Sequence, residues 1–325
     1  MNDPVVLAIV ALIGVPAAQL GYAVVIEGIL ERIAARWERI LRPWLWLAPA
    51  LCLLSVFLIY PALHTVYLSM LDARSAAFVG VNNYLFVLTN HEMLLAVRNN
   101  LLWLVFFTGI TVSAGLLLAV LVDRVRYESL AKSVIFLPMA ISSVAAGVIW
   151  KFVYEFRPAG ASQIGLLNAF LTAALPGFRP VGWLVNLLTG NFALIAVGVW
   201  IWVGFSLVIL SAALKGIPAE LLEAARVDGA TEWQGFWRII LPTLSSTILV
   251  VTTTLVILAL KAFDIVYVMT NGNFNTEVIA NRMYKEMFNI HHFGRASAIA
   301  VLLFVATVPV MIANIRRFRA QEALR

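Results

Sequence analysis

Long apolar stretches alternate with short polar ones along almost the whole of this 325-residue chain. A helix needs about 20 predominantly apolar residues to cross a bilayer. The stretches that meet this requirement are 5–26, 44–70, 100–122, 134–154, 192–214, 241–265 and 296–315. The first has neither a charged start nor an Ala-x-Ala cleavage site, so we expect a retained span rather than a signal peptide. The pattern predicts an all-α integral membrane protein with about seven transmembrane helices.

The composition supports a bilayer protein and removes several alternatives. Hydrophobic residues make up 62% of the chain, charged residues only 12%, and the mean hydropathy is +0.94, beyond the values of soluble domains. A net charge of +6 would suggest nucleic acid in a soluble protein, but basic residues that orient spans explain it here, and we expect no nucleic-acid partner. Cys52 is the only cysteine, and the four histidines lack a metal-binding spacing. We therefore expect neither a disulfide nor a metal site.

The basic residues also predict which side of the membrane each linker occupies. The linkers 27–43, 123–133 and 215–240, with the tail after residue 315, hold 14 of the 23 Lys and Arg residues. Cytoplasmic loops carry an excess of these residues, so we expect these segments and the C-terminus in the cytoplasm and Met1 outside. The arginine-rich linker 27–43 is predicted to form a short amphipathic helix on the membrane surface.

The polar segment 217–242 between two apolar stretches has the sequence signals of a short helix that ends abruptly. Pro218 suits the first helical position, and Glu220 and Glu223 place negative charge in the first turns. Gly229 is predicted to end the helix in a left-handed conformation. That conformation costs a residue with a Cβ roughly 1–2 kcal/mol and glycine almost nothing.

A second helix is predicted directly after this break. Thr231 and Gln234 have the spacing of a capping box. The positions i, i+3, i+4 and i+7 then form one apolar face, from Trp233, Phe236, Trp237 and Ile240. We expect this amphipathic helix to lead into the next membrane span.

Glu223-Ala224-Ala225, followed by Asp228-Gly229 and later by Leu241-Pro242, resembles the EAA signature of the membrane subunits of ATP-binding-cassette importers. An ordinary amphipathic loop at the membrane surface is the alternative. The resemblance implies a six-helix type I importer core with one extra N-terminal span and a cytoplasmic coupling helix that docks into a cleft of an ATPase. The coupling residues that it implies are Glu223, Ala224, Ala225, Asp228 and Gly229.

Two further runs narrow the resemblance to carbohydrate importers. Residues 263–272, FDIVYVMTNG, are similar to the Phe-Asp-x-Ile-x-x-x-Thr-x-Gly run of sugar importer permeases, and 78–84, FVGVNNY, to a run that follows their first core span. The family usually continues Gly-Pro after the first run, whereas this chain has Asn273-Phe274. Asn273-Phe274, the run 280–284 and the basic tail 316–319 together resemble the first permease subunit of α-glucoside importers.

The resemblance implies the domain limits and the partners. Residues 1–43 form an N-terminal span and amphipathic linker, and 44–325 form the transmembrane domain, with a core at about 96–315 and the coupling element at 217–242. The implied partners are a second permease subunit, an ATPase dimer, an extracytoplasmic sugar-binding protein, the sugar and the lipid bilayer of the plasma (inner) membrane. The chain has no Gly-x-x-x-x-Gly-Lys-[Ser/Thr], so we expect no cofactor in it and no enzyme activity of its own, with ATP and Mg²⁺ bound by the ATPase.

Two other functions stay open at this point. One is a membrane enzyme or assembly factor that handles lipid-linked glycans, although no catalytic constellation supports it. The other is a secondary carrier, which the scarcity of acidic residues inside spans and the missing internal repeat disfavour.

Sugars present hydroxyls and apolar CH faces, so their sites combine aromatic rings with hydrogen-bonding groups. The residues that could line the substrate pathway on the spans beside the coupling element are Trp202, Gly204, Phe205, Thr253, Lys261 and Asp264. Lys261 and Asp264 are three residues apart, and we expect them on one helical face near the outer end of the sixth span. The alternative for each residue is packing against a neighbouring helix.

Overall fold

The computed structural model describes residues 10–32, 35–123, 125–158 and 160–322. Residues 5–9 of the first predicted span, together with Arg124 and Arg325 of the basic segments, lie outside this part. Across the described residues the regular structure is helical, apart from one isolated β-bridge between Leu71 and Phe78. The structure therefore confirms the predicted all-α class.

The helices follow one another with short connections. The α-helices are α1 Val15–Leu30, α2 Ala35–Leu54, α3 Tyr60–Leu68, α4 Asn82–Thr89, α5 His91–Leu102, α6 Thr108–Val122, α7 Glu128–Phe136, α8 Ser143–Val153, α9 Leu166–Ala174, α10 Gly190–Lys215, α11 Ala219–Val227, α12 Glu232–Gly235, α13 Leu241–Thr243, α14 Ser245–Leu260, α15 Asp264–Met269, α16 Ile279–Tyr284 and α17 Phe293–Glu322. Single π-helical segments occupy Val10–Gly14, Ser55–Ile59, Trp103–Phe107, Phe236–Ile240 and Lys285–Asn289, and a 3₁₀ turn occupies Leu137–Ala140. The second and third π-helical segments join α2 to α3 and α5 to α6 without a break.

Five of the described helices are long and apolar enough to cross a membrane. They are Leu12–Leu30, Ala35–Leu68, His91–Val122, Gly190–Lys215 and Phe293–Ala313. Two bent pairs, Glu128–Ala140 with Ser143–Val153 and Glu232–Thr243 with Ser245–Leu260, raise the number to seven if each pair is one span. The predicted spans 134–154 and 241–265 are therefore not straight helices.

Local sequence explains both bends. The first pair bends by 100°. Pro138 removes a backbone donor there, and the Ser142 hydroxyl accepts the Ala145 N–H at 3.2 Å, which starts a new helix. The second pair bends by 66° at Leu244, which is buried and follows Pro242 by two residues. In both pairs a proline shortly before the bend interrupts the ladder of helical hydrogen bonds.

By its contacts the chain divides into two compact units, residues 1–65 and 66–325, with the boundary inside α3. In the first unit, Arg42 forms ion pairs at 3.0 Å with Glu27 at the end of α1 and with Glu38 one turn earlier in α2. α2 continues through Pro43 into an apolar segment. Residues 35–43 of the predicted surface linker are therefore the first turns of a longer helix.

The second unit holds the main core, in which α10 packs closely against α6. Glycines permit the close approach of α10 to α6 and to the segment Trp103–Phe107: a Cβ at Gly115 would lie 2.2 Å from the Ser206 Oγ, and one at Gly198 would lie 2.9 Å from the Trp103 ring. α14, α15 and the π-helical segment Trp103–Phe107 complete the core around α10. The long helix α10 thus leads from this core to the segment 216–244.

Candidate functional site

The segment 216–244 forms a helix, a sharp break and a second helix, as predicted. α11 begins one residue later than expected, because Pro218 has an extended ψ of 130° and lies just outside the helix. Gly229 has φ +79°, which confirms the predicted left-handed conformation. The Gly229 N–H donates to Arg226 O and the Ala230 N–H to Ala225 O, at 3.1 and 2.9 Å. This pair of bonds is a Schellman motif, which satisfies the last carbonyls of α11.

The second helix has the predicted capping box. The Thr231 hydroxyl accepts the Gln234 N–H at 3.3 Å, and the Gln234 side chain accepts the Thr231 N–H at 2.9 Å. An exposed ion pair at 3.3 Å between Arg226 and Glu232 joins the two helices across the break. Local bonds therefore fix the angle between α11 and α12.

The five residues implied in coupling do not all face the same way. Glu223, Ala224, Asp228 and Gly229 are exposed, whereas Ala225 is half-buried and lines a cavity of about 420 Å³ beneath α11. The outer surface of α11 carries another residue that the sequence interpretation missed, Val227, which is 87% exposed. A lone apolar residue at the end of a polar helix is the signal that could have identified it.

A second cavity, of about 110 Å³ and here named the outer cavity, lies beside the first half of α10, away from the segment 216–244. It brings together three of the six predicted pathway residues, namely Trp202, Lys261 and Asp264. Its remaining walls come from the π-helical segment Trp103–Phe107, α8, α10 and the segment that follows α14, through Phe107, Ser143, Gly198 and Phe263 among others. The cavity therefore combines aromatic rings with one cationic and one anionic side chain.

The prediction that Lys261 and Asp264 share one helical face is wrong. α14 ends at Leu260, Lys261 is already outside it, and Phe263 has an irregular backbone (φ −144°, ψ −65°) before α15 begins at Asp264. Both side chains are exposed, and no ion pair joins them in the described structure. Each charge instead faces the outer cavity from the break between two helices.

The other three predicted pathway residues lie outside this cavity. Phe205 packs edge to face against Trp202, with ring centroids 5.9 Å apart. Gly204 is buried, and a Cβ there would lie 2.6 Å from Ile135 O. The Thr253 hydroxyl is nearly buried and donates to Leu249 O of its own helix at 2.7 Å. Gly204 and Thr253 therefore have packing roles in the structure, and Phe205 supports the ring of Trp202.

Sequence reasoning missed an aromatic cluster beside the cavity. The ring of Phe263 stacks on Tyr267 at 5.2 Å and contacts Tyr284 at 5.5 Å, and Tyr284 in turn contacts Phe288 at 4.8 Å. The rings come from the residue before α15, from α15 and α16, and from the π-helical segment after α16, so their meeting depends on the tertiary fold. Phe263, which begins the cluster, also lines the cavity.

Buried charges lie in the segment 277–286, which includes α16. The Glu277 carboxylate contacts Lys285 at 2.6 Å and Asn281 at 2.5 Å, and Arg282 contacts Glu286 at 2.7 Å. Gly272 ends the run 263–272, and two observations explain why it is a glycine. It has φ +74°, and a Cβ there would lie 2.5 Å from the Glu277 carboxylate. Pairing offsets the high cost of burying these charges.

Comparison with known proteins identifies the family. Residues 111–319 match the family described as binding-protein-dependent transport system inner membrane component. The osmoprotective compounds uptake permease protein GgtC of Synechocystis sp. is 65% identical over 86% of this chain and 100% of that protein. The alpha-glucoside transport system permease protein AglF of Rhizobium meliloti is 46% identical over 89% of this chain and 87% of that protein.

A solved structure shares the fold. A chain of a bacterial ABC transporter involved in the import of the acidic polysaccharide alginate superposes with a TM-score of 0.72 and 24% identity, over 88% of this chain and 99% of that chain. The family match contains the whole of the segment 216–244 and the outer cavity residues from α8 to α15. The chain belongs to the binding-protein-dependent transport system inner membrane components, and it is a transport subunit rather than an enzyme.

Proposed function

We propose that this chain is a permease subunit of an ATP-driven sugar importer and that 217–242 is its coupling element. The observation that carries the proposal is the rigidly capped, exposed helix α11, which contains the Glu-Ala-Ala run and has a Schellman motif at its end. α11 is exposed on one side and lies between two long apolar elements. These features suit a short helix that transmits the movement of a partner protein to the two apolar elements.

The ATPase would contact the outward side of α11 through Glu223, Ala224, Val227 and Asp228. Ala225 would take no direct part, because it faces the cavity beneath the helix. In this arrangement the segment 216–244 and the C-terminus lie in the cytoplasm, and the ATPase dimer supplies ATP binding and Mg²⁺. Residues 1–43 would form an added N-terminal part, and 44–325 the transmembrane domain.

The sugar would pass the outer cavity at Trp202, Lys261 and Asp264. Sites for small molecules usually enclose about 300–1,000 Å³, so the 110 Å³ cavity holds only part of a sugar. A second permease subunit would complete the pathway, and an extracytoplasmic binding protein would deliver the substrate. Trp202 offers an apolar ring for the CH face of a sugar, while the charged groups offer hydrogen bonds to its hydroxyls.

The relatives indicate the substrate class. One relative takes up osmoprotective compounds and another transports alpha-glucosides. A small neutral α-glucoside that protects cells against osmotic stress satisfies both descriptions, and we propose this class as the substrate. The exposed Lys261 and Asp264 carry opposite charges, which favours a neutral ligand over an acidic or basic one.

Uptake by the reconstituted complex tests this function. Trp202→Ala is expected to lower α-glucoside uptake while the complex assembles in normal amount, because the lost ring lines the cavity and its packing partner Phe205 is kept. Trp200→Ala is the matched control: Trp200 lies on the same helix but packs edge to face on Trp150 at 5.6 Å. We expect Trp200→Ala to lower the amount of complex rather than uptake per complex. Equal losses of assembly and uptake in both variants would show that Trp202 is a packing residue.

A further inference from the structure

Asn100 binds both ends of the segment 261–278, whose first residues line the outer cavity. Its side chain is 2% exposed. The Nδ2 donates to Ala259 O and Leu260 O, the last carbonyls of α14, at 3.1 and 3.3 Å. The Oδ1 accepts the Ile279 N–H, at the start of α16, at 2.8 Å. One amide from α5 therefore binds the end of one helix and the beginning of another.

These bonds matter because the helix ends are buried. The last carbonyls of a helix lack partners within the helix, and a buried carbonyl without a hydrogen bond costs free energy; Ala259 and Leu260 are both buried. Ala259 O also accepts the Ala262 N–H at 3.3 Å, which is a long bond. Asn100 thus stabilises the termination of α14 at Leu260 and disfavours its continuation toward Asp264.

The residues directly after the end of α14 form part of the cavity wall. Lys261, Phe263 and Asp264 line the cavity, and all three follow the carbonyls that Asn100 binds. If α14 continued by one more turn, the directions of all three side chains would change. Asn100 itself does not line the cavity.

Asn99 provides a contrast within the same helix. Its side chain is also buried, but its Nδ2 donates to Asn275 O and Glu277 O, both at 2.7 Å, and its Oδ1 accepts from Asn191 at 3.2 Å. These contacts hold the loop before α16 and the start of α10. They do not reach the end of α14.

We infer that Asn100 is a positioning residue for the substrate pathway: it sets where α14 ends and so aims Lys261 and Asp264 into the cavity. This inference rests on the proposed transport function. Asn100 does not touch the sugar, so its effect is on affinity through the geometry of the wall.

A labelling experiment tests the geometry without any sugar. The experiment uses the full-length protein with Cys52→Ser and Lys261→Cys, so that position 261 carries the single cysteine of the chain. This cysteine is labelled with a water-soluble maleimide in the assembled complex. Asn100→Asp keeps the acceptor for Ile279 and replaces the donor to α14 by a second oxygen, so we expect at least a tenfold change in the labelling rate. Asn99→Ala, the matched control, should lower the yield of complex and leave the labelling rate within twofold of the parent protein.

A transport measurement with native Lys261 completes the test. Asn100→Asp should raise the KM for uptake several-fold with a smaller change in kcat, whereas Asn99→Ala should leave the KM unchanged. Asn100→Ser, which is smaller and keeps one donor, decides the question by the same criteria if the Asp variant does not assemble. Unchanged labelling and KM in the Asn100 variants, or equal changes in Asn99→Ala, would overturn the inference. If the parent complex imports no sugar, the proposed function fails, and the labelling result alone decides the role of Asn100.

Discussion

Gly229 allows the coupling role to be tested by backbone strain alone. It has φ +79°, and an added Cβ would meet no atom within 4 Å. A substitution there therefore creates no clash, and its effect comes from the left-handed conformation, at roughly 1–2 kcal/mol for a residue with a Cβ. Asn tolerates this conformation better than Ala, and a β-branched residue tolerates it least. We expect function to fall in the order Gly, Asn, Ala, Val.

The size of the loss follows from the exposure of the element. α11 has no buried residue, so its geometry depends mainly on its local caps, and a change of 1–2 kcal/mol alters the population of the native geometry by about 5–30-fold. Sugar-stimulated ATP hydrolysis by the purified complex, with the amount of permease matched, is the assay. Gly229→Ala should lose a large part of the stimulation, and Gly229→Val nearly all of it.

Gly235 is the matched control. It is also a glycine of the coupling element with no atom near its missing Cβ, but it lies in the helix α12. Gly235→Ala is expected to stabilise the helix by about 0.5–1 kcal/mol and to keep stimulation normal. Normal stimulation in Gly229→Val, or equal losses in Gly229→Ala and Gly235→Ala, would refute the reasoning.

Three further predictions concern charge, packing and pH. Glu223→Lys should release the ATPase during purification while Glu220→Lys, an exposed control on the same helix, should retain it; retention by both would show that Glu223 makes no contact. Gly204→Ala should destabilise the complex by roughly 1–3 kcal/mol in thermal unfolding, because its Cβ would lie 2.6 Å from a backbone oxygen, whereas Gly109→Ala has open space and should be neutral. Burial and the nearby charge of Arg295 lower the pKa of His292 in the folded protein. The His292 Nδ1 accepts the Arg295 backbone N–H at 3.2 Å. The contribution of His292 to stability is therefore present above its unfolded pKa of about 6.5 and is lost as the pH falls through the lower folded pKa. The hydrogen-exchange protection factors in the first turn of α17, which compare each measured rate with the intrinsic rate at the same pH, should therefore fall at low pH, and His292→Asn should remove that dependence.

The sequence predicted best the features that depend on a few neighbouring residues. The left-handed Gly229 and the capping box of Thr231 and Gln234 need only contacts within five residues of the chain, and the structure confirms both. The helical class and the apolar stretches follow from composition in the same way. Pro138 and Pro242 were visible signals for the two bends, but hydrophobicity alone favoured straight spans.

The features that the sequence did not predict depend on distant residues. The helix α14 ends where Asn100 binds Ala259 O, and Asn100 precedes Ala259 by 159 residues in the chain. Periodicity could not show this contact and wrongly placed Lys261 and Asp264 on one helix. The aromatic cluster and the buried Glu277–Lys285 pair likewise form only when separate helices meet. Whether Trp202 and Gly204 face a cavity or a neighbouring helix depends on rotation about α10, which apolar residues on all its sides leave undetermined.

Uptake into reconstituted vesicles tests the central claim most directly. The vesicles would contain this chain, the second permease and the ATPase, with the binding protein and a radiolabelled α-glucoside outside and ATP inside. The importer account predicts uptake that requires both ATP and the binding protein, and that is lost with Gly229→Val but retained with Gly235→Ala. Uptake that proceeds without ATP under an ion gradient, or that survives Gly229→Val undiminished, would contradict it.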